Sequence, residues 1–409
     1  MKSGWVTKKL GDVTTKIGSG ATPLGGEEAY KTDGISLIRS LNVYDDGFRK
    51  AKLARIDDEQ ADGLSNVVVE PHDVLLNITG ASVARCCLAP ADSLPARVNQ
   101  HVSIIRPIKG RLDSAFLHYL LISKSYKDRL LHAGEEGGST RQAITKAQLQ
   151  EFVVEYPESL PEQRRIVGIL DEAFDGLARA TANAEKNLRN ARALFESHLQ
   201  SVFTQRGKGW VEKTLGDACE FENGDRGKNY PNRNEYVQSG IPWINTGHIQ
   251  PDGTLSMKDM NFITREKFDS LRSGKIQPVD LVYCLRGATL GKTAFVAPLT
   301  EGAVASSLVI VRPSPILDSR FLYFFLISPP GQGLIKGFEN GAAQPNLGAR
   351  SVAKYPISFP PVVDQRRIAE RLTGLREETQ CLESIYQQKL AVLGELKKSL
   401  LHQAFSGKL

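Results

Sequence analysis

The sequence predicts an α+β chain of two mixed, strand-rich domains, each followed by a long helix, with the two helices forming an antiparallel coiled-coil spacer with pseudo-twofold symmetry. Three observations predict it. The chain repeats itself at a spacing near 205 residues, each copy passes once from strand-rich to purely helical composition, and each helical segment carries an apolar stripe in steps of three and four. The expected boundaries are 1–157 for the first strand-rich domain, 158–205 for the first helix, 206–357 for the second domain and 358–409 for the second helix.

The repeat is an ordered ladder of matches. Trp5 to Asp12 reads WVTKKLGD and Trp210 to Asp217 reads WVEKTLGD, six of eight letters alike. Ile35 to Val43 (ISLIRSLNV) returns as Ile241 to Ile249 (IPWINTGHI), and Asp73 to Arg85 (DVLLNITGASVAR) returns in outline from Asp280 (DLVYCLRGATLGK). Phe116 to Ser123 (FLHYLLIS) matches Phe321 to Ser328 (FLYFFLIS), and QRRI stands at both Gln163 and Gln365. Five matches in order at nearly one spacing mean tandem duplication, and two copies exclude a solenoid.

Within the first copy, β-branched runs at Val67 to Val69, Val74 to Ile78 and Val102 to Ile105 are punctuated by Gly, Pro and Asp turns, with a helical stretch around Phe116 to Arg129. After Pro161 no proline occurs through Trp210, and apolar residues recur at Ile166, Leu170, Ala173, Leu177, Ala180, Ala184, Leu188, Ala191 and Phe195. At 1.5 Å per residue, roughly 40 residues make a rod on the order of 60 Å, longer than one helix of a compact globule. The second copy reaches Pro360 and Pro361 and then sets Ile368, Leu372, Leu375, Leu382, Tyr386, Leu390, Leu393, Leu396 and Leu400 in the same rhythm. Each stripe needs an apolar partner, and the other stripe is the nearest. Leu170, Leu177, Leu188 and Leu194 with Leu372, Leu382, Leu390 and Leu396 are the expected pairing residues.

Composition narrows the function classes. With 41% hydrophobic and 24% charged residues the chain is neither disordered nor, lacking an apolar run near twenty residues, membrane-spanning. The start MKSGWVTKKLGD has no secretory features, which places the chain in the cytoplasm as an expectation. The five cysteines (Cys86, Cys87, Cys219, Cys284, Cys381) are odd in number and form no CxxC, which opposes both a disulfide framework and a zinc ribbon. Net charge is +6, compatible with a polyanion without requiring one.

Catalytic motifs fail: HExxH, GxSxG, GxGxxG and an EF-hand loop are missing. Arg286 to Thr293 (RGATLGKT) comes nearest to a phosphate loop, but only three residues separate Gly287 and Gly291 where four are needed, so it reads as a turn after a strand. The seven histidines show no metal-ligand spacing, and no metal site is expected. Polar loop residues remain. In the first head they are Ser19, Thr22, Arg39, Asn42, Arg49, Thr79, Arg85, Arg97, Asn99, Gln100 and Arg141; in the second, Asn223, Arg226, Lys228, Asn245, His248, Arg286, Thr289, Lys292 and Gln344. These types suit double-stranded DNA: Arg pairs bidentately with guanine, Asn and Gln with adenine, and Lys and Arg hold phosphates.

The LGD starts, the GSGATP run at Gly18 to Pro23, the FLxxxLIS helices, the GAAQPNL run at Gly341 to Leu347, and the segments LPEQRRIVGILDEAF from Leu160 and VVDQRRIAERL from Val362 resemble the specificity subunits of bacterial type I restriction-modification systems, over essentially the whole chain. The resemblance implies two target recognition domains that each read one half of a bipartite DNA sequence, joined by helices that set the gap. It implies docking of two modification (methyltransferase) subunits and of restriction/translocase subunits, with S-adenosylmethionine, ATP and Mg on those partners and no cofactor or catalysis in this chain. The copies differ where reading would occur: Asn99 and Gln100 align with Ala305 and Ser306, and Arg39 with Asn245, so an asymmetric target is expected. The competing class is a two-headed protein-interaction scaffold without sequence-specific DNA binding, which the amphipathic helices fit equally well.

Overall fold

The computed structural model describes residues 4–135, 143–205, 207–338 and 346–409. The chain divides into two compact units, Met1–Ala184 with Gln388–Leu409, and Glu185–Gln387. Each is α+β, and the two have the same strand order.

The first unit centres on an antiparallel sheet ordered Thr14–Ser19, Val102–Pro107, Val74–Asn77, Cys86–Leu88. Its central strands are nearly continuous apolar runs because both faces are covered. Successive side chains point to opposite faces, so Val74, Leu76 and Ile105 enter one core with Phe116 and Leu120, while Leu75, Val102 and Ile104 enter another with Leu37, Ile38 and Val98. The second core is closed by the sheet Ala54–Ile56, Ile35–Ile38, Ala96–Val98, whose last pair is parallel. Trp5–Lys9 pairs with Val153–Pro157, so the domain ends beside its own beginning.

The second unit repeats this with Cys219–Asn223, Leu308–Pro313, Leu281–Cys284 and Thr293–Phe295, then Asn261–Ile263, Ile241–Ile244 and Ala303–Val304, and Val211–Thr214 against Pro356–Phe359. A buried ion pair is duplicated too. Arg106 grips Asp73 with two bonds of 2.7 and 2.8 Å, and Arg312 grips Asp280 with two of 2.8 Å. Both carboxylates are buried, so losing either arginine strands a charge, a change that costs about 3–5 kcal/mol.

Leu160–Thr204 and Val362–Ser406 are continuous helices of 45 residues, each begun with prolines in or just before its first turn, where a missing N–H costs nothing. The QRRI glutamines join helix to head. The Gln163 side chain accepts from Asp113 N at 2.8 Å and donates to the carbonyls of Arg111 (2.9 Å) and Pro157 (2.8 Å). Gln365 accepts from Asp318 N at 2.8 Å and donates to Ile316 (2.9 Å) and Pro360 (2.8 Å). Both side chains are fully buried, so every bond is made away from water.

In the first unit, Ile166 and Leu170 from the start of one long helix share a core with Leu401, Ala404 and Phe405 from the end of the other. In the second, Leu199 shares a core with Ala369 and Leu372. Leu170 and Leu372 are fully buried, and Leu177, Leu188 and Leu390 are half-buried. The expected pairing residues Leu194, Leu382 and Leu396 require correction, since they are exposed. The stripe of buried and half-buried positions runs one position away, through Ala184, Leu188, Ala191, Phe195 and Leu199 in the first helix and Tyr386, Leu390, Leu393, Lys397 and Leu401 in the second. A two-helix seam admits only about two positions in seven, so an apolar neighbour one residue off is left in solvent. Among the described residues no helix is long and apolar enough to cross a membrane.

Candidate nucleic-acid interface

The four-stranded sheet of the first unit decides which loops meet. Thr14–Ser19 and Val74–Asn77 both run antiparallel to Val102–Pro107, so the exits of the first two and the entrance of the third lie at one sheet end. Three loops converge there: the one after Ser19, the turn after Asn77 and the approach to Val102. Gly20 N donates to Asn99 O at 3.2 Å, Thr22 Oγ1 donates to Gln100 Oε1 at 2.6 Å, and Ile78 N donates to His101 O at 3.0 Å.

The turn after Asn77 closes with Gly80 (φ 75°) and Ala84 (φ 64°) in the left-handed region and returns its chain through Ala84 N to Asn77 O at 2.9 Å. Its counterpart uses Gly287 (φ 73°) and Gly291 (φ 83°), with Gly291 N to Cys284 O at 3.0 Å. The phosphate-loop lookalike is therefore a strand-exit turn, as expected from its spacing. Both turns end on a basic residue, Arg85 or Lys292.

In the first unit this turn borders a cleft of about 580 Å³ lined by Ser40, Tyr44, Thr79, Arg85 and His101, among others. Thr79 Oγ1 is hydrogen-bonded to His101 Nδ1. The guanidinium of Arg85 stands 4.7 Å from the centre of the Tyr44 ring and that of Arg49 stands 5.1 Å from it. This stacking orders two long side chains without consuming the N–H fork of Arg85, which no acceptor among the described residues engages. Arg49 also pairs with Asp46 at 2.6 Å. Ser19, Thr22, Arg49, Thr79, Arg85 and Gln100 are thus accessible around one sheet end or its cleft.

Several expected contacts serve the fold instead. Asn42 is fully buried, accepting from Arg39 N at 3.0 Å and donating to Arg49 O at 2.8 Å. Asn99 is buried and accepts from His101 N at 3.0 Å. His248, the counterpart of Asn42, is also buried. Its Nδ1 accepts from Asn245 N at 3.1 Å, and burial lowers its pKa, which keeps the ring neutral and able to accept. These three cannot reach a base edge, and the expectation is corrected for them. Arg39 is committed to Glu27 (2.9 Å), Lys52 O (2.7 Å) and the Tyr30 face, and Arg97 donates to Ala61 O at 3.2 Å. Asn245 Oδ1 accepts from Gly247 N at 2.9 Å.

In the second unit Asn223, Arg226, Lys228, Arg286 and Lys292 are exposed, and Thr289 is half-buried. Arg226 donates to Ser306 O at 3.3 Å, tying the same two loops that Thr22 and Gln100 tie in the first unit. Arg141 and Gln344 lie outside the described residues. Tyr44 and His101 are cleft residues that sequence reasoning missed, because neither belongs to a motif or to a repeated match.

Burial pushes the Cys87 and Cys219 thiols up to about 12 and raises Cys86 well above its ordinary value, so all three stay protonated and unreactive. Among the described residues no group of three or more His, Cys, Asp or Glu is arranged to hold a metal ion.

A family model described as the type I restriction modification DNA specificity domain matches residues 2–187 and again 207–389. The specificity subunit of the EcoKI type I restriction enzyme from Escherichia coli K12 is 24% identical over 205 residues, which is 49% of this chain and 44% of that protein. The specificity subunit of MjaVIII from Methanocaldococcus jannaschii is 19% identical over 361 residues, 84% of this chain and 80% of the relative. The matched region thus spans less than half of the Escherichia coli protein and most of the archaeal one. Among solved structures, a chain of a type I R-M system studied for complex assembly and conformational transition superposes with a TM-score of 0.74 at 17% identity, covering 100% of this chain and 99% of that one. The HsdS subunit from Thermoanaerobacter tengcongensis gives 0.66 at 18% identity, covering 100% and 98%. At these identities the structural matches establish the fold.

Proposed function

The chain belongs to the type I restriction modification DNA specificity domain family, and from that premise we propose that it is the specificity subunit of a type I restriction-modification complex, reading an asymmetric, bipartite DNA target. The target recognition domains are residues 1–157 and 206–357, and the helices 158–205 and 358–409 offer surfaces to the other subunits. The single observation that carries the reading is the duplicated sheet end: the same three loops converge in both units, but they carry different side chains. Thr79, His101 and Gln100 in one stand where Arg286, Ser307 and Ser306 stand in the other. A shared scaffold with unlike loops supports two unlike half-sites, and base edges rather than phosphates give the discrimination.

Methyl transfer and cleavage belong in this reading to partner subunits that carry S-adenosylmethionine, ATP and Mg. This chain contributes recognition and no catalytic step. The complex with its modification subunits is expected to bind its target with log K falling linearly in log salt, each phosphate contact adding about 0.9 to the slope. Affinity measured between about 50 and 200 mM salt tests this against the protein-scaffold reading. A steep slope on the target duplex supports recognition of DNA, and the absence of any DNA affinity overturns it.

A further inference from the structure

Leu24 is 99% exposed, the most exposed of the large hydrophobic residues described, and it is left out of every core among the described residues. It is also held in place. Gly26 N donates to Pro23 O at 3.1 Å, and Gly25 takes φ 93° and ψ −3°, the left-handed third position of a type II β-turn that puts Leu24 at the corner. The loop is anchored on both sides of this corner. Thr22 is bonded to Gln100 at 2.6 Å, Glu27 pairs with Arg39 at 2.9 Å, and Gln60 Nε2 donates to Ala29 O at 3.1 Å. Arg39 leads directly into Ser40, on the rim of the cleft that Arg85 and Tyr44 share. An aliphatic side chain is thus presented, on an ordered corner, beside the candidate reading surface.

What the corner could grip follows from its charge. Between Ile17 and Tyr30 there is no Lys or Arg, and Glu27 is already paired with Arg39, so the corner offers no cation to a phosphate. The major groove offers one aliphatic group, the 5-methyl of thymine, and it distinguishes that base from the others. Resting on the specificity reading above, we propose that Leu24 reads a thymine methyl in the half-site bound by the first domain. Leu24 is then a specificity-determining residue that acts by apolar contact, next to hydrogen-bonding readers on the neighbouring turn.

The test uses the full chain in complex with its modification subunits and duplexes of its own target in which each thymine of the half-site bound by the first domain is replaced, one at a time, by uracil, which lacks only the methyl. One replacement should weaken binding about 4-fold, the worth of one buried methyl. Leu24→Ala, a change on an exposed turn, should bind the unmodified duplex more weakly and be insensitive to that same replacement. Indifference of the unmutated complex to every uracil, an equal further loss in Leu24→Ala, or a half-site without thymine on either strand would each overturn the contact while leaving the specificity reading intact. A complex with no sequence preference on any duplex overturns both.

Discussion

Gln163→Leu is expected to destabilise the first unit by about 3–5 kcal/mol, a loss large enough to separate its unfolding transition from that of the second unit. Leucine fills a similar volume but removes one acceptor and two donors at once. The N–H of Asp113 and the carbonyls of Arg111 and Pro157 would lose their side-chain partner beside a fully buried site. Asp113 is the N-cap of the helix Ser114–Ile122 and Arg111 lies two residues before it, while Pro157 ends the strand that leads into the long helix. One amide therefore fixes the angle at which the helix leaves the domain. Gln365→Leu should do the same in the second unit, through Asp318, Ile316 and Pro360. Urea unfolding followed by a probe in each unit measures it, and a loss under about 1 kcal/mol would show that the glutamine is not the joint.

Arg85→Ala is expected to weaken target binding by about 1–3 kcal/mol, roughly 5- to 150-fold at fixed salt, and to relax specificity at one base pair of the first half-site. The guanidinium is already oriented by the Tyr44 face at 4.7 Å, so little rotamer entropy is lost when its fork meets a base. Arg85→Lys separates two roles: a phosphate contact survives in the lysine, whereas a bidentate base contact does not. We expect the lysine variant to bind as poorly as the alanine variant, in competition assays against every single-base change of the half-site. Recovery of binding by lysine would reassign Arg85 to the DNA backbone.

The duplication, the two strand-rich domains and the long helices were legible because each is a periodic property of the chain, and a period survives without coordinates. The doubled WVxKxLGD start becomes the strand closing each domain on itself, and QRRI becomes the joint. Periodicity alone was less reliable at single-residue resolution. Leu194, Leu382 and Leu396 continue an apolar rhythm but stand one position off the buried stripe, because both positions of a neighbouring pair satisfy steps of three and four.

The site was legible as a composition and not as a surface. Asn42, Asn99 and His248 are good base readers by type, yet each is buried to satisfy backbone groups of a tight turn, a demand that appears only when the loop is folded. Tyr44 and His101 enter the cleft from segments distant in sequence, and sheet pairing beside Val102 brings His101 to the turn after Asn77. Leu24 carries no motif, and its meaning lies in an exposure that sequence does not reveal.

The most direct test of the central claim is sequencing of modified bases in DNA from cells that co-express this chain with a type I modification subunit with which it forms a complex, against cells lacking this chain. A new methylated motif of two unlike halves separated by a fixed gap is expected. The absence of any new motif, with the complex verified by mass, would contradict it.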